Sequence, residues 1–489
     1  MLLTLARSWG GWLLLLLGAR ILYALAFPLD LSPDEAYYWD WGRRPDWGYF
    51  SKPPLIAWLM AGLGHLELDS AAGLRVTAAL IGTASLVPWY LLARHLNGPQ
   101  VAGWSLALIA LTPANAALSL ILTIDAPQML CWSLALLAFW RWQERPEAPS
   151  RPWGVLLTLA LGLGLLSKQS TLAFYPLALL YLAAGRDTRP LLARPDPWLI
   201  ALGSLLFLAP VLGWNWGHGW VTLGHTLGHF QGDPRPLAQV AELLGAGLAL
   251  SGPVAGALVL GWVLWVWRDW PRLDRRGRLT ALFGALPLLI CTLLALHQRV
   301  QPNWLAPFLP VALLALAAWG QTQGRRWRVL ALGSSALFSL GAWLLAFLPL
   351  SQGLAGKDVD LLARLRGWRD AAAQVQVQRE RLPQWRRLPL VVHGSRDLAS
   401  ELAFYLPDRP RVRHWPWVAG AIESQYQLWQ DEEPPLGTDV LLVATWLPAQ
   451  LQARFTRIEP LGALDQTLGP QRRRFAKLYL AQGLKELPQ

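Results

Sequence analysis

The chain has 489 residues, 54% of them hydrophobic and only 15% charged, against about 25% charged in an ordinary soluble domain. Its mean hydropathy is +0.30. These values exclude a disordered chain and argue against a soluble enzyme of this length; long apolar runs point to a membrane protein. The formal charge is +12, and 38 of the 43 basic residues are Arg. In a membrane chain such an excess marks cytoplasmic loops rather than nucleic-acid binding.

In chain order the apolar runs predict about eleven spans: 9–27, 73–93, 101–118, 126–140, 153–166, 170–184, 198–213, 240–266, 279–296, 303–320 and 328–350. Several are shorter than the roughly 20 residues a crossing needs, so their ends extend into the flanks. The first follows Arg7 and has no clear small-residue cleavage site, which reads as an uncleaved helix. Stretch 53–66 follows Pro53-Pro54 and is too short to cross; it reads as an interfacial helix or part of a re-entrant loop. Cys131 and Cys291 lie inside apolar runs as small core residues, with no disulfide scaffold or cysteine metal site.

Alternate loops differ in charge. One side carries sixteen Arg (7, 94, 141, 145, 151, 186, 189, 194, 268, 272, 275, 276, 278, 325, 326 and 328). The other carries six basic residues before the tail: Arg43, Arg44, Lys52, Lys168, Arg235 and Arg299. The first side is expected to be cytoplasmic, with the N-terminus inside and the C-terminus outside. The expected fold class is a polytopic α-helical membrane protein, with residues 1–350 as the transmembrane domain. Residues 351–489 contain no spanning run. They alternate strand-like pieces (Pro389–His393, Val440–Thr445, Phe475–Leu480) with helix-like ones (Asp360–Gln378, Asp397–Tyr405), and read as a small extracytoplasmic α/β domain. That segment has no P-loop, no dinucleotide fingerprint and no internal repeat.

The outer loops carry the chemistry. Loop 28–52 reads PLDLSPDEAYYWDWGRRPDWGYFSK, with five acidic residues among dense Tyr and Trp. Much of it suits an aromatic belt at the membrane interface with solvated charges. Asp34-Glu35 is explained less well that way: adjacent, partly desolvated carboxylates repel, which raises at least one pKa and suits general-base work. Asp125 is the only charge between Arg94 and Arg141. It caps the helix that starts there, or does chemistry at the edge of an apolar run, and the two roles are compatible. Lys52 and Lys168 are the only lysines before residue 357. Each is a compact partner for a phosphate, or a snorkelling interface residue.

His225 and His229 stand four apart in GHTLGH, as metal ligands do on one helix face, although Gly224 and Gly228 weaken a helix and no third ligand is evident. Arg299, in HQRVQPNW, holds a phosphate or marks the interface. Carboxylates, cations and aromatic platforms together suit transfer of a sugar from a lipid phosphate.

At these residues a resemblance enters. SPDEAYYWDWGRRPDWGYFSKPPLIAW resembles the first outer loop of polyprenyl-phosphate-dependent GT-C glycosyltransferases, the group that includes protein O-mannosyltransferase-like enzymes and bacterial lipid A aminoarabinose transferases. The likeness continues through LTIDAP, GLLSKQS, PVLGWNWGHGW and QPNW, in the same order over most of residues 20–320. It implies a GT-C fold working at the outer face of the bacterial inner membrane, an undecaprenyl-type polyprenyl-phosphate sugar donor, a glycolipid or lipopolysaccharide acceptor, and inversion at the anomeric carbon.

By that resemblance Asp34 is the base, with Glu35 beside it, Asp125 is the second acidic position, and Lys52 grips the lipid phosphate. Tyr49, Lys168, His225, Arg299 and Asn303 are expected around the substrates, with loop 214–238 and the C-terminal segment as covers. Aminoarabinose transferases carry a metal-binding Glu before that lysine; here it is Ser51, which speaks against a bound divalent metal and against aminoarabinose as the sugar. The alternatives are a protein mannosyltransferase with a peptide acceptor, a lipid transporter or flippase, and a non-catalytic scaffold.

Overall fold

A computed structural model describes residues 8–228, 230, 235–323, 325–348, 355, 357, 360, 362–418, 420–429, 433–469 and 472–487. The chain opens with helix α1 (Trp9–Ala26), then α2 (Pro33–Gly42) and α3 (Leu55–His65). Next come α4 (Ala71–Ala84), α5 (Leu86–Ala110), α6 (Pro113–Leu118), α7 (Asp125–Trp142), α8 (Arg151–Ser167) and α9 (Phe174–Ala184). Then follow α10 (Asp196–Leu205), α11 (Ala209–Gly217), α12 (Val221–Gly228), α13 (Pro236–Ser251) and α14 (Pro253–Trp265). A π-turn at Ala281–Ala285 joins α15 (Arg275–Thr280) to α16 (Leu286–Leu294); α17 (Leu309–Gln323) and α18 (Arg325–Leu345) complete the apolar series.

Five helical stretches among the described residues are long and apolar enough to cross a membrane: Trp9–Ala26, Ala71–Ala110, Asp196–Gly217, Arg275–Leu294 and Arg325–Leu345. Six shorter apolar helices of 10–17 residues accompany them. The fold is that of a multi-pass membrane protein, but these lengths do not establish a count of eleven crossings. Two departures from the sequence expectation are clear. Run 240–266 is two helices, α13 and α14, meeting at Gly252. Spans 73–93 and 101–118 are joined through α5, which breaks only at Gly98 (φ 83°) before Pro99.

The chain forms two compact units, one of residues 1–26, 52–56 and 72–344, the other of 27–51, 57–71 and 345–489. The units interleave along the chain, whereas the sequence reading placed one boundary near residue 350. The first unit is centred on aromatic side chains of the apolar helices: Trp132 of α7 meets Phe174 of α9 and Phe308 edge-to-face, both at 5.4 Å. Its buried Arg20 on α1 donates to Thr83 Oγ1 on α4 (3.0 Å) and to Asn115 Oδ1 on α6, so a charge in an apolar helix is met by neighbouring oxygens.

The second unit contains a five-stranded sheet of order β2-β1-β3-β5-β4. Strands β1 (Leu390–His393), β2 (Val412–Trp415) and β3 (Val440–Ala444) are parallel, with Leu390 opposite both Val412 and Leu441. Strands β4 (Phe455–Gly469) and β5 (Arg472–Leu484) pair antiparallel, and β5 lies beside β3 with Leu442 opposite Tyr479. LVVH and VLLVA are buried at every position, as central parallel strands require. Helices α19 (Trp368–Arg379), α20 (Arg396–Tyr405) and α21 (Ala449–Ala453) complete it, α20 forming the crossover from β1 to β2.

The expected strands at 389–393, 440–445 and 475–480 are present, the last as part of a longer strand. Strands β2 and β4 were not expected: VRHW buries Arg413 and His414, and the register of β4 shifts at Pro460/Gly462. The helix expected from Asp360 begins at Trp368, after Gly367 at φ 73°.

Candidate functional site

In the second unit the site is built on α2. Ser32 is its N-cap, Pro33 its first residue, and Glu35 closes a capping box: Glu35 N donates to Ser32 Oγ (3.4 Å) and Ser32 N donates to Glu35 Oε2 (2.9 Å). The spacing Ser32-Pro33-Asp34-Glu35 carries that signature in the sequence. Glu35 is fully buried, so its carboxylate is engaged in fixing the helix start rather than offered to a ligand. Asp34 turns elsewhere and keeps about a third of its side chain exposed. The two adjacent carboxylates therefore occupy different settings.

Asp34 is met by two arginines from the C-terminal segment. Arg396 Nη2 lies 2.6 Å from Oδ1, and Arg364 Nη2 lies 3.5 Å from Oδ2. Arg396 also covers the Tyr37 ring at 4.4 Å, and Asp397 stands 3.6 Å from Arg396 and 3.9 Å from Arg364. Sequence reasoning found no chemistry in this segment. Nothing local could have revealed Arg364 and Arg396, which lie more than 300 residues from their carboxylate.

The loop-one aromatics do not form an exposed belt. Tyr37, Tyr38, Trp39, Trp41 and Tyr49 are buried; Trp47 is exposed. Tyr49 stacks on Trp41 at 4.4 Å, accepts from Asp46 N (2.9 Å) and donates to Arg44 O (2.9 Å). Burial pushes its phenol pKa up. The ring and hydroxyl of Tyr49, expected near substrate, are engaged within the core of the loop.

Behind α2, Glu401 of α20 is buried, and neither carboxylate oxygen has a hydrogen-bond partner among the described residues. Burial, with Asp30 and Glu35 adding to it, raises its pKa well above the ordinary 4.5.

In the first unit the structure brings three of the sequence candidates together. Lys168 Nζ lies 2.6 Å from Asp125 Oδ1, and Asn303 Nδ2 donates to Asp125 Oδ2 at 3.1 Å. Lys168 sits where α8 ends, and Asp125 is the first residue of α7. The N-cap of α7 is Ile124 and makes no side-chain cap, so Asp125 serves as an ion-pair partner and not as the cap. Ser167 Oγ reinforces the junction by donating to Ile124 O (2.7 Å).

Lys52 is half-buried in the turn before α3. Arg299 is largely exposed, 4.0 Å from Glu242. His225 lies on α12, half-buried; His229 lies outside the described residues, so the proposed pair is not described. No group of three or more His, Cys, Asp or Glu suited to a metal occurs among the described residues.

Comparison with known proteins gives a consistent answer. Residues 51–214 match the family model described as dolichyl-phosphate-mannose-protein mannosyltransferase. A lipid A galacturonosyltransferase, RgtD, of Rhizobium johnstonii is 28% identical over 410 residues, covering 81% of this chain and 82% of that protein. Crystal structures of ArnT from Cupriavidus metallidurans align over 96% of this chain and 98% of theirs. The apo state gives TM-score 0.64 at 16% identity, and the form bound to undecaprenyl phosphate gives 0.62 at 17%. At such identities the structural likeness establishes the fold, and the sequence matches carry the chemistry. Together these matches support a polyprenyl-phosphate-dependent membrane glycosyltransferase with the GT-C fold.

Proposed function

We propose that the protein transfers a sugar from a polyprenyl-phosphate donor to a lipid A-type glycolipid at the extracytoplasmic face of the bacterial inner membrane. The supporting observation is the partly exposed Asp34 carboxylate, fixed by a capped helix, in a chain related over four-fifths of its length to a lipid A galacturonosyltransferase. The charge bias of the loops supports a cytoplasmic N-terminus and an outer C-terminal segment.

The acceptor hydroxyl attacks the anomeric carbon and gives its proton to Asp34. The bond from that carbon to the phosphate oxygen breaks, with inversion, and polyprenyl phosphate leaves. The charge that develops on the leaving phosphate calls for a cation, and the resemblance assigns that role to Lys52. Asp125, Lys168 and Asn303 act as a tied unit that positions the ends of α7 and α8, because Lys168 is already committed to Asp125. With Ser51 before the lysine, neutralisation of a single leaving phosphate rests on basic side chains.

The test is donor consumption by purified protein in nanodiscs, with a panel of labelled polyprenyl-phosphate sugars and lipid A as acceptor. Asp34→Asn should lower turnover by at least about 100-fold, as expected for loss of a general base. Full activity in Asp34→Asn removes Asp34 from the mechanism. The match of residues 51–214 to a protein-mannosyltransferase model favours a second acceptor class, so a peptide arm belongs in the panel. Transfer to peptide alone would replace the glycolipid reading.

A further inference from the structure

The two arginines on Asp34 create a chemical problem. Asp34 Oδ1 is aimed at Arg396 Nη2 at 2.6 Å, and Oδ2 is 3.5 Å from Arg364, so an acceptor that reaches Asp34 meets both guanidinium groups as well. An anion arriving with the acceptor can exchange with Asp34 for the two guanidinium groups.

The cluster is suited to such an exchange. Side-chain exposure is 32% for Asp34, 31% for Arg396 and 56% for Arg364. Elsewhere in this unit, Arg379 holds Asp408 through two contacts of 2.8 and 2.9 Å with its guanidinium 2% exposed, the form of a structural pair. The contact with the exposed Arg364 contributes little net stability, so releasing it costs little. Tyr37 supports the Arg396 guanidinium from its face at 4.4 Å, which keeps the cation in place when its anion changes. Asp397 balances part of the charge but lies farther from both arginines, at 3.6 and 3.9 Å.

We propose that Arg364 and Arg396 form an anion subsite for a phosphate or carboxylate group of the acceptor, and that Asp34 occupies this subsite until the acceptor displaces it. Guanidinium forks suit planar or tetrahedral oxyanions. Arrival of the anionic acceptor then does two things at once: it is gripped by the arginines, and it frees the base that will deprotonate its hydroxyl. Acceptors lacking the anion leave the base tied. This rests on the reading of Asp34 as base, and the donor's own phosphate offers the same chemistry.

The experiment measures binding of three probes to the full-length protein in detergent: phosphorylated lipid A, the same lipid A after dephosphorylation, and undecaprenyl phosphate. Wild type is compared with Asp34→Asn and Arg364→Gln. In Asp34→Asn the resident anion is gone, so phosphorylated lipid A should bind on the order of tenfold tighter while the dephosphorylated form is unchanged. In Arg364→Gln, a substitution at an exposed position, phosphorylated lipid A should bind about tenfold more weakly. Unchanged affinity in Asp34→Asn, or equal shifts for both lipid A forms, overturns the subsite. Shifts confined to undecaprenyl phosphate assign the anion to the donor and overturn the acceptor assignment. Turnover separates the two readings: loss of turnover without a gain in affinity leaves the base and removes the subsite, and a gain in affinity with turnover retained does the reverse.

Discussion

Asp125 and Lys168 are 43 residues apart in the chain and 2.6 Å apart in the fold. Their side chains are only 11% and 9% exposed. Removing one member leaves the other as an uncompensated buried charge. Lys168→Met should therefore cost about 3–5 kcal/mol of stability. The measurement is the thermal midpoint in detergent, and the double variant Lys168→Met/Asp125→Leu should recover part of the loss. An unchanged midpoint would mean that the pair is solvated and contributes little. At this scale the sequence was informative about isolation and not about pairing. A lone carboxylate in an apolar run and two lysines in an arginine-rich chain stood out by type. That one lysine pairs with the carboxylate was decided by the fold. Glu35 is the converse case: its capping-box spacing from Ser32 is local and legible in the sequence.

Helices α13 and α14 show the same division among elements. A hydropathy window sees one run over 240–266, because Gly252 is neither polar nor charged. The break comes from backbone geometry: Gly252 adopts φ 84°, and a Cβ there would lie 2.6 Å from the Cα of Ser335 on α18. Ser335 Oγ then donates to Ser251 O at 2.7 Å, taking up a carbonyl freed at the helix end. Gly252→Ala should cost roughly 2–4 kcal/mol, from backbone strain together with displacement of α18. A thermal midpoint equal to wild type would show that the two helices tolerate a continuous path. In the sheet, β1 and β3 were readable because central parallel strands are continuously apolar. Strand β4 was not: its partner β5 supplies the order that its own polar, Pro- and Gly-containing sequence lacks.

Across the whole chain, residues 27–51 fold with residues 345–489. Asp30 supplies the N-terminal cap of α19, accepting from Trp368 N (2.7 Å) and Arg369 N (3.2 Å), where Gly367 has no side chain to offer. Arg43 donates to Arg409 O (2.8 Å), Arg44 covers the Trp429 ring at 3.9 Å, and Gln425 Oε1 accepts from Phe50 N (2.7 Å). A chain ending at residue 350 should therefore lose order in loop one, and trypsin should cut after Arg43, which the full chain protects. Equal protection in both, read by limited digestion and mass spectrometry, would show that loop one holds itself together. Membrane class, helix-rich architecture, the βα character of the tail and the residue types of the site were all available from composition and order. Each depends on properties carried within a window of a few to twenty residues: apolar length, strand or helix period, and charge asymmetry between loops. Which groups meet was available only from the fold. Contacts such as Asp34 with Arg364 and Arg396, or Asp125 with Lys168 and Asn303, join segments whose separation along the chain leaves no local periodic trace. Their geometry is set by packing, and packing sums over the whole molecule.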